Sequence, residues 1–420
     1  MTVKDLGITA VVLSCILAAS PFCTAQSTCD SSGAERLSAV EEIVERQADI
    51  IARQQLQLNE LASAGAAAAK PADEALKSEL PSWLEGLRFS ADLRLRYEGQ
   101  FFSDDTRDRN RGRFRLRFGF EKPLTKTVTA GFRVVTGGDS DPTSANQTMT
   151  GQFDKKPAWF DLVYVTWAPQ ALPGLSVGAG KFRNPFVHTD MIWSGDLNPE
   201  GAWQTWHIPV EGPFQPMFTL GQMIVRERSG DPDPYLLAGQ GGFIWKVAEN
   251  VRWTKAFTYY DYVRITEPGN FFAARGNTIA DGELTAGDFN IFNLTNIVDL
   301  SLFDKPLRLH IDYALNLGED APAPDDGLDT AWALGFTFGR AREKGTWQLD
   351  YKYARIEANA IVGGFSDAGF GYANRKGHVI GGTYALHRNI SARLGTYFTE
   401  PERGTGPDRT TVQADLVFRF

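Results

Sequence analysis

The sequence predicts an all-β transmembrane barrel of about sixteen antiparallel strands, preceded by a short coiled-coil helix. Three observations support this fold class. Apolar and polar residues alternate along many short segments, the links between these segments alternate between short and long, and the last segment ends on Phe420 after a run of alternating apolar residues. Each feature is expected of a closed sheet with lipid on one face and water on the other.

Alternation with a period of two is clearest in segments 87–98 and 112–121, where polar or charged residues recur at nearly every second position. This pattern gives a strand one apolar and one polar face. In segments 158–168 and 250–265 the pattern does not show which face is outward. The predicted strands are 87–98, 112–121, 127–137, 158–168, 175–183, 201–209, 214–227, 235–247, 250–265, 289–303, 306–317, 330–340, 346–357, 376–386, 390–399 and 410–420.

The links between the predicted strands alternate in length, as short periplasmic turns and long outer loops do in outer-membrane barrels. Strand 201–209 has the weakest pattern, and it is retained because without it the long link 266–288 would lie on the side of the short turns. The short links include 122–126, 169–174, 248–249, 304–305, 341–345 and 387–389, and the long links include 99–111, 138–157, 184–200, 266–288, 318–329 and 358–375.

Residues 1–25 have the features of a secretory signal peptide. Lys4 precedes an apolar stretch over 6–19, and Cys23-Thr24-Ala25 fits a cleavage site of small residues. The apolar stretch is shorter than the ~20 residues that a membrane-spanning helix needs. Removal of the signal peptide leaves Cys29 as the only cysteine, which excludes an intramolecular disulfide and a cysteine-based metal site.

Residues 26–81 are predicted to form a separate periplasmic region. Apolar residues recur with a heptad spacing over 35–61, which is typical of a modest coiled coil, and an Ala- and Pro-containing linker follows up to Pro81. An isolated amphipathic helix has nowhere to bury its apolar stripe, so we expect the helix to associate with copies of itself, most simply in a homotrimer. The barrel then occupies residues 82–420.

The overall composition excludes some partners and is compatible with a barrel. The 420 residues are 43% hydrophobic and carry a net charge of −8, which argues against nucleic acid as a partner. The histidines lack the spacing of a zinc site, and no glycine-rich phosphate-binding loop is found, so no cofactor is predicted. The mean hydropathy of −0.26 resembles that of a soluble protein, as that of a barrel does.

The C-terminal strand carries a sharp pattern. Val412, Ala414, Leu416, Phe418 and Phe420 occupy one face, and the final aromatic residue resembles the signal that outer-membrane barrels present to their assembly machinery. We therefore expect Phe418 and Phe420 to act as an assembly signal, with the barrel assembly machinery and outer-membrane lipid as partners.

Several motifs resemble the "putative porin" family of Proteobacteria, which is distantly similar to phosphate-selective porins. The resemblance covers about 87–420 and is most specific over 112–201. It implies passive diffusion of small polar solutes through an outer-membrane barrel, without specifying the solute. The motifs lie at 114–119, 129–133, 136–142, 146–148, 180–186, 189–193 and 196–201.

Five arginines on the first two strands are predicted to line the pore. Each lies opposite the apolar face, and an arginine that points at lipid near the bilayer centre costs ~2–4 kcal/mol. Together they favour anionic solutes, unless Asp92 and other acids neutralise them. The five are Arg94, Arg96, Arg113, Arg115 and Arg117.

The third long link, 184–200, is the one that in general porins folds inward and narrows the channel. Asp190, Trp193, Asp196 and Glu200 are the residues of this constriction loop, and they are expected to form an edge opposite the arginines. An ordinary surface loop is the competing interpretation.

Other functional classes remain to be separated from a porin. An enzyme would need Ser301, His310 and Asp299 or Asp312 to form a triad, and polar lining of the lumen explains these residues better, so no enzymatic activity is predicted. Pairing across 304–305 would place Asp299 opposite His310. A structural tether that acts through the helix and a secreted soluble β-protein are two further classes that the sequence leaves open.

Overall fold

The computed structural model describes residues 84–138, 141–267, 274–280, 283–321 and 326–420. The predicted signal peptide, helix and linker at 1–81 lie outside the described residues. In the described part of the chain, no helix is long and apolar enough to span a membrane.

Within the described residues, sixteen long strands form a closed antiparallel barrel. Neighbouring strands along the chain pair with one another, and β1 also pairs with β19 and thereby closes the sheet. Three short strands, β4, β11 and β12, belong to the links. The strands are β1 (Arg88–Phe102), β2 (Arg109–Pro123), β3 (Val128–Thr136), β4 (Gln147–Thr148), β5 (Ala158–Trp167), β6 (Leu175–Lys181), β7 (Glu200–His207), β8 (Phe214–Ile224), β9 (Tyr235–Ala248), β10 (Val251–Val263), β11 (Ile279–Ala280), β12 (Glu283–Leu284), β13 (Phe289–Leu302), β14 (Lys305–Asn316), β15 (Thr330–Gly339), β16 (Trp347–Ile356), β17 (Arg375–His387), β18 (Ile390–Pro401) and β19 (Arg409–Arg419).

The predicted sixteen-stranded barrel is confirmed, including the weakly patterned strand at 201–209, which is β7. One predicted link is shorter than expected. Residues 99–102 continue β1 and residues 109–111 begin β2, because the ladder extends to the pair Gln100–Arg109, and only 103–108 remain as the connection.

The outer wall of the barrel is apolar. Large side chains such as Phe89, Phe118 and Phe398 are 62%, 46% and 45% exposed. A soluble protein rarely leaves so continuous an apolar surface uncovered, whereas a lipid bilayer covers it. The exposed face therefore fits a membrane environment and argues against a secreted soluble β-protein.

A β-bulge explains why the outward face of 158–168 is not predictable from the sequence. The register between β3 and β5 shifts at Arg133 and Val134, so that Asp161 is an additional residue in the ladder. Phe160 and Val163 both face outward although they are three positions apart. A bulge changes the phase of the alternation, and this breaks the period-two pattern.

Strand β10 is ambiguous in sequence for a different reason, since both of its faces are aromatic. Phe257 and Tyr259 are exposed on the outer wall, while Tyr260 and Tyr262 are only 1% exposed on the inner face. The inner tyrosines pack against a segment inside the barrel, and the rings of Tyr260 and Phe186 are 5.8 Å apart. An apolar inner face is unexpected for a water-filled barrel, and it reveals a packed region in the interior.

This packed region fills one side of the barrel. The inner faces of β14–β16 carry alanines, and apolar residues of two links cover them. Residues 182–199 and 357–374 supply this cover, and we call them the first and second inward segments. The alanines are Ala314, Ala331, Ala333 and Ala354, each at most 1% exposed.

Candidate functional site

The first inward segment crosses the barrel interior. At one end Asp196 accepts a hydrogen bond from Arg117 of β2. Towards its middle, Thr189 donates a hydrogen bond to Asp312 of β14, and Asp190 accepts one from Lys352 of β16 at 2.7 Å. Because β2 and β14 lie on opposite sides of the barrel in the strand order, the segment spans the lumen.

The second inward segment packs on the first. Ser194 N donates to Phe365 O at 2.7 Å, and the rings of Trp193 and Phe365 are 5.6 Å apart. Asp367 N donates to Asp190 O at 3.3 Å. The sequence indicated only a long link at 358–375. The sequence did contain a signal for this inward packing. Ile361 and other apolar residues of this segment, which are fully buried in the structure, are unusual in an exposed loop.

Two cavities flank these segments on the open side of the lumen. The outer cavity has a volume of about 610 Å³, and the inner cavity has a volume of about 380 Å³. Asp190 and Tyr397 line both cavities, so the two cavities adjoin at these two side chains. Charged residues that line the outer cavity are Arg94, Arg96, Glu98, Arg109, Arg111, Arg113, Asp141, Asp190, Asp196, Arg275, Asp367 and Arg409.

Three of the five arginines singled out in the sequence line the outer cavity, namely Arg94, Arg96 and Arg113. Arg115 and Arg117 do not line it, and both are engaged by acids. Arg115 Nη2 lies 2.6 Å from Asp92 Oδ1 and its Nη1 lies 3.6 Å from Asp196 Oδ1, and Arg117 pairs with the same Asp196 carboxylate. The five arginines therefore differ in how far acids neutralise them.

The sequence did not point to four further arginines of the outer cavity, at positions 109, 111, 275 and 409. Arg109 and Arg111 extend the alternation of β2 into residues predicted to be a link, so the period-two pattern could have identified them as facing the lumen. Arg409 begins the last strand. Arg275 stacks on the Tyr372 ring at 4.8 Å, and no sequence pattern brings these two residues together.

Four arginines of the outer cavity have no carboxylate within 4.0 Å among the residues that the structure describes, namely Arg94, Arg109, Arg275 and Arg409. Arg94 donates from Nη2 to the amide oxygen of Asn146 at 2.5 Å, and it lies directly opposite Arg115 in the ladder. Arg409 donates from Nη2 to the carbonyl of Gly369 at 2.9 Å. Neutral acceptors satisfy hydrogen bonds without cancelling charge, so both sites stay positive.

The four residues predicted for the constriction loop occupy different environments. Asp190 and Asp196 line the outer cavity. Trp193 is 3% exposed and lies in the packed region between the inward segments. Glu200 is the first residue of β7 and forms an exposed ion pair with Lys181 at 2.8 Å, outside the residues that line either cavity.

The acidic side of the outer cavity carries carboxylates with different proton affinities. Burial opposes the ionisation of Asp190, but the nearby Lys352 ammonium holds the pKa of that carboxyl below its usual value. Burial raises the pKa of Asp367, and the Asp190 carboxylate adds to the effect. Asp367 is therefore the first of the two to gain a proton as the pH falls.

The strand register separates the residues considered for a catalytic triad, since Ser301 lies opposite Pro306 and His310 lies opposite Ile297. The turn lies at 303–304, where both residues have positive φ, so Asp299 faces Arg308 and not His310, and the register expected from the sequence is wrong. Asp299 pairs with Arg308 at 2.6 Å. Among the described residues, no group of three His, Cys, Asp or Glu side chains is placed to hold a metal ion.

The chain resembles known proteins in its sequence family and in its fold. The model of the family described as "Putative porin" matches residues 16–108, 103–281 and 284–420. No curated protein sequence is significantly similar. Among solved structures, OprB of Pseudomonas putida has a TM-score of 0.53 at 11% identity, covering 80% of this chain and 94% of its own.

OmpF of Salmonella typhi, solved in complex with daunomycin, has a TM-score of 0.50 at 9% identity, covering 80% of this chain and 97% of its own. At these identities the structures support the barrel fold, whereas the family match covers most of the sequence. The chain belongs to the putative porin family, and its barrel is that of an outer-membrane channel.

Proposed function

We propose that this protein forms a water-filled pore for the passive diffusion of small polar and anionic solutes across the outer membrane. The observation that carries the proposal is the arginine-rich outer cavity on the open side of the barrel, which meets the inner cavity at Asp190 and Tyr397. The packed inward segments leave the charged side as the path through the lumen.

The charge distribution across this path supports a preference for anions. Six arginines of the outer cavity lie on the wall formed by β1, β2 and β19, and three of them, Arg94, Arg109 and Arg409, have no described acid within 4.0 Å. The inward segments place Asp190 and Asp367 on the facing side, whereas Asp196 lies against the arginine wall and pairs with Arg115 and Arg117. Charges of opposite sign on opposing walls orient a solute and filter it by charge.

The anion preference is tested by removing two of the uncompensated charges, those of Arg94 and Arg409. Arg94→Gln together with Arg409→Gln should shift the reversal potential in a KCl gradient towards cation selectivity, because each site stays polar but loses its charge. The matched control is Arg340→Gln with Arg342→Gln, two exposed arginines that line neither the outer nor the inner cavity. An equal shift in both double variants, or no shift in the first, contradicts the proposal.

We also propose that the mature protein is a homotrimer supported by the helix predicted at 35–61 in the periplasm. The support is the unpartnered apolar stripe of that helix. Removal of residues 26–80 should lower the native mass of the detergent-solubilised protein from trimer to monomer. A trimer that persists without these residues would leave the helix without this role.

Assembly is proposed to depend on Phe418 and Phe420. The last residue closes the barrel, since Phe420 N donates to Ala91 O at 3.1 Å and Ala91 N donates to Phe420 O at 2.9 Å. Phe420 is 73% exposed and leaves its ring available to the assembly machinery. Deletion of Phe420 should reduce the amount of heat-modifiable protein in the outer membrane, and an undiminished amount would refute this role.

A further inference from the structure

Three arginines of the outer cavity converge on a single carboxylate. Glu98 forms ion pairs with Arg113 Nη1 at 3.2 Å and with Arg96 Nη1 at 3.7 Å, and Arg111 donates a short hydrogen bond to its Oε1. Gln413 Nε2 donates to Oε2 at 3.4 Å. The Glu98 side chain is 3% exposed, so it fills the space that the three guanidinium groups enclose.

This cluster has the form of a bound carboxylate in its binding site. Guanidinium groups present planar pairs of N–H donors that match carboxylate oxygens. Three positive groups around one negative group leave the cluster with a net positive charge. Only Arg96 has a second acid among the described residues, Asp415, at 2.6 Å, so Arg111 and Arg113 depend on Glu98 alone for a carboxylate.

The cluster is open to the solute path. The three arginines line the 610 Å³ outer cavity together with Glu98 itself, and their side chains keep 10–15% of their surface exposed. Uncompensated Arg94 lines the same cavity. A carboxylate that enters the cavity therefore encounters both the uncompensated Arg94 and the three arginines that are paired with Glu98.

We propose that Arg96, Arg111 and Arg113 form a carboxylate-binding site in the pore, which Glu98 occupies as an internal ligand and from which a passing carboxylate displaces it. This inference rests on the proposed pore function and names the class of solute. Competition with Glu98 keeps the site weak enough for the solute to leave, which conduction requires.

The test is the block of single-channel chloride current by acetate at constant ionic strength. In Glu98→Gln the internal competitor is neutral, so acetate should halve the current at a concentration roughly tenfold lower than in the wild type, as expected for gaining a charge-assisted hydrogen bond. Glu98→Asp, which keeps the charge but withdraws it by one methylene, should shift the concentration less and in the same direction.

Two further variants separate binding from general electrostatics. Asp350→Asn removes one negative charge from the Arg393 pair at the inner cavity and should leave the half-blocking concentration near that of the wild type. Arg111→Gln in the Glu98→Gln background should reverse the gain. Heat-modifiable mobility on gels establishes that each variant is folded.

The results that would refute the binding site differ from the result that would refute the pore function. If Glu98→Gln and Glu98→Asp conduct but have the wild-type half-blocking concentration, or if Asp350→Asn shifts it equally, the binding site is refuted while the pore stands. If folded wild-type protein does not conduct in KCl, the pore function itself is refuted.

Discussion

Individual charged residues of the lumen are mostly held in ion pairs that span long distances in sequence. Arg96 pairs with Asp415 and Arg117 with Asp196, which are 319 and 79 positions away. Strand alternation predicts that these arginines face the lumen. It cannot predict which of them are neutralised, because barrel closure and the path of an inward segment decide their partners.

At this scale we predict a pH-dependent charge preference from Asp367. Because the pKa of Asp367 is raised and that of Asp190 is lowered, Asp367 loses its negative charge before Asp190 as the pH falls, so the wild-type pore should become more anion-selective on acidification from neutral pH. The charged groups facing it are Lys352, Asp190 and Arg409.

The measurement is the reversal potential in a KCl gradient as a function of pH. Asp367→Asn should be more anion-selective than the wild type at neutral pH and should show a smaller change on acidification. Identical pH profiles for the two proteins would exclude Asp367 as the titrating group.

At the scale of elements, the sixteen strands were predictable because lipid and water impose a period of two on each of them. The features that the sequence did not predict have local physical causes. A bulge at Asp161 changes the phase in β5, and Tyr260 and Tyr262 make both faces of β10 aromatic. The inward packing of 357–374 depends on contacts with the first inward segment, which no strand pattern encodes.

We predict that the two inward segments form one packed unit that narrows the pore. Trp193→Ala removes a ring that packs on Phe365, so it should cost about 3–5 kcal/mol of packing and loosen the segments. The expected result is a higher and noisier single-channel conductance, together with a lower temperature for the mobility change on gels.

Trp206→Ala is the matched control, because Trp206 lies on the outer wall and is 41% exposed. It removes the same ring without touching the inward segments. A conductance of Trp193→Ala equal to that of the wild type and of Trp206→Ala would show that the packed unit does not limit the pore.

At the scale of the whole molecule, the barrel combines an apolar outer wall, a packed side and an arginine-lined open side. Closure by β1 and β19 brings Arg96 next to Asp415 and Arg409 next to the second inward segment, so the charged path exists only in the completed barrel. The signal peptide and helix predicted for the N-terminal region lie outside the described residues, and the family match fixes the general class of function.

The central claim is that this barrel is an open pore with a basic path. Its most direct test is single-channel recording of purified, folded protein comprising residues 26–420 in a planar lipid bilayer with a KCl gradient. The account predicts discrete conductance steps and a reversal potential on the anion-selective side. Folded, heat-modifiable protein that inserts but gives no conductance steps would contradict the account and favour the structural tether.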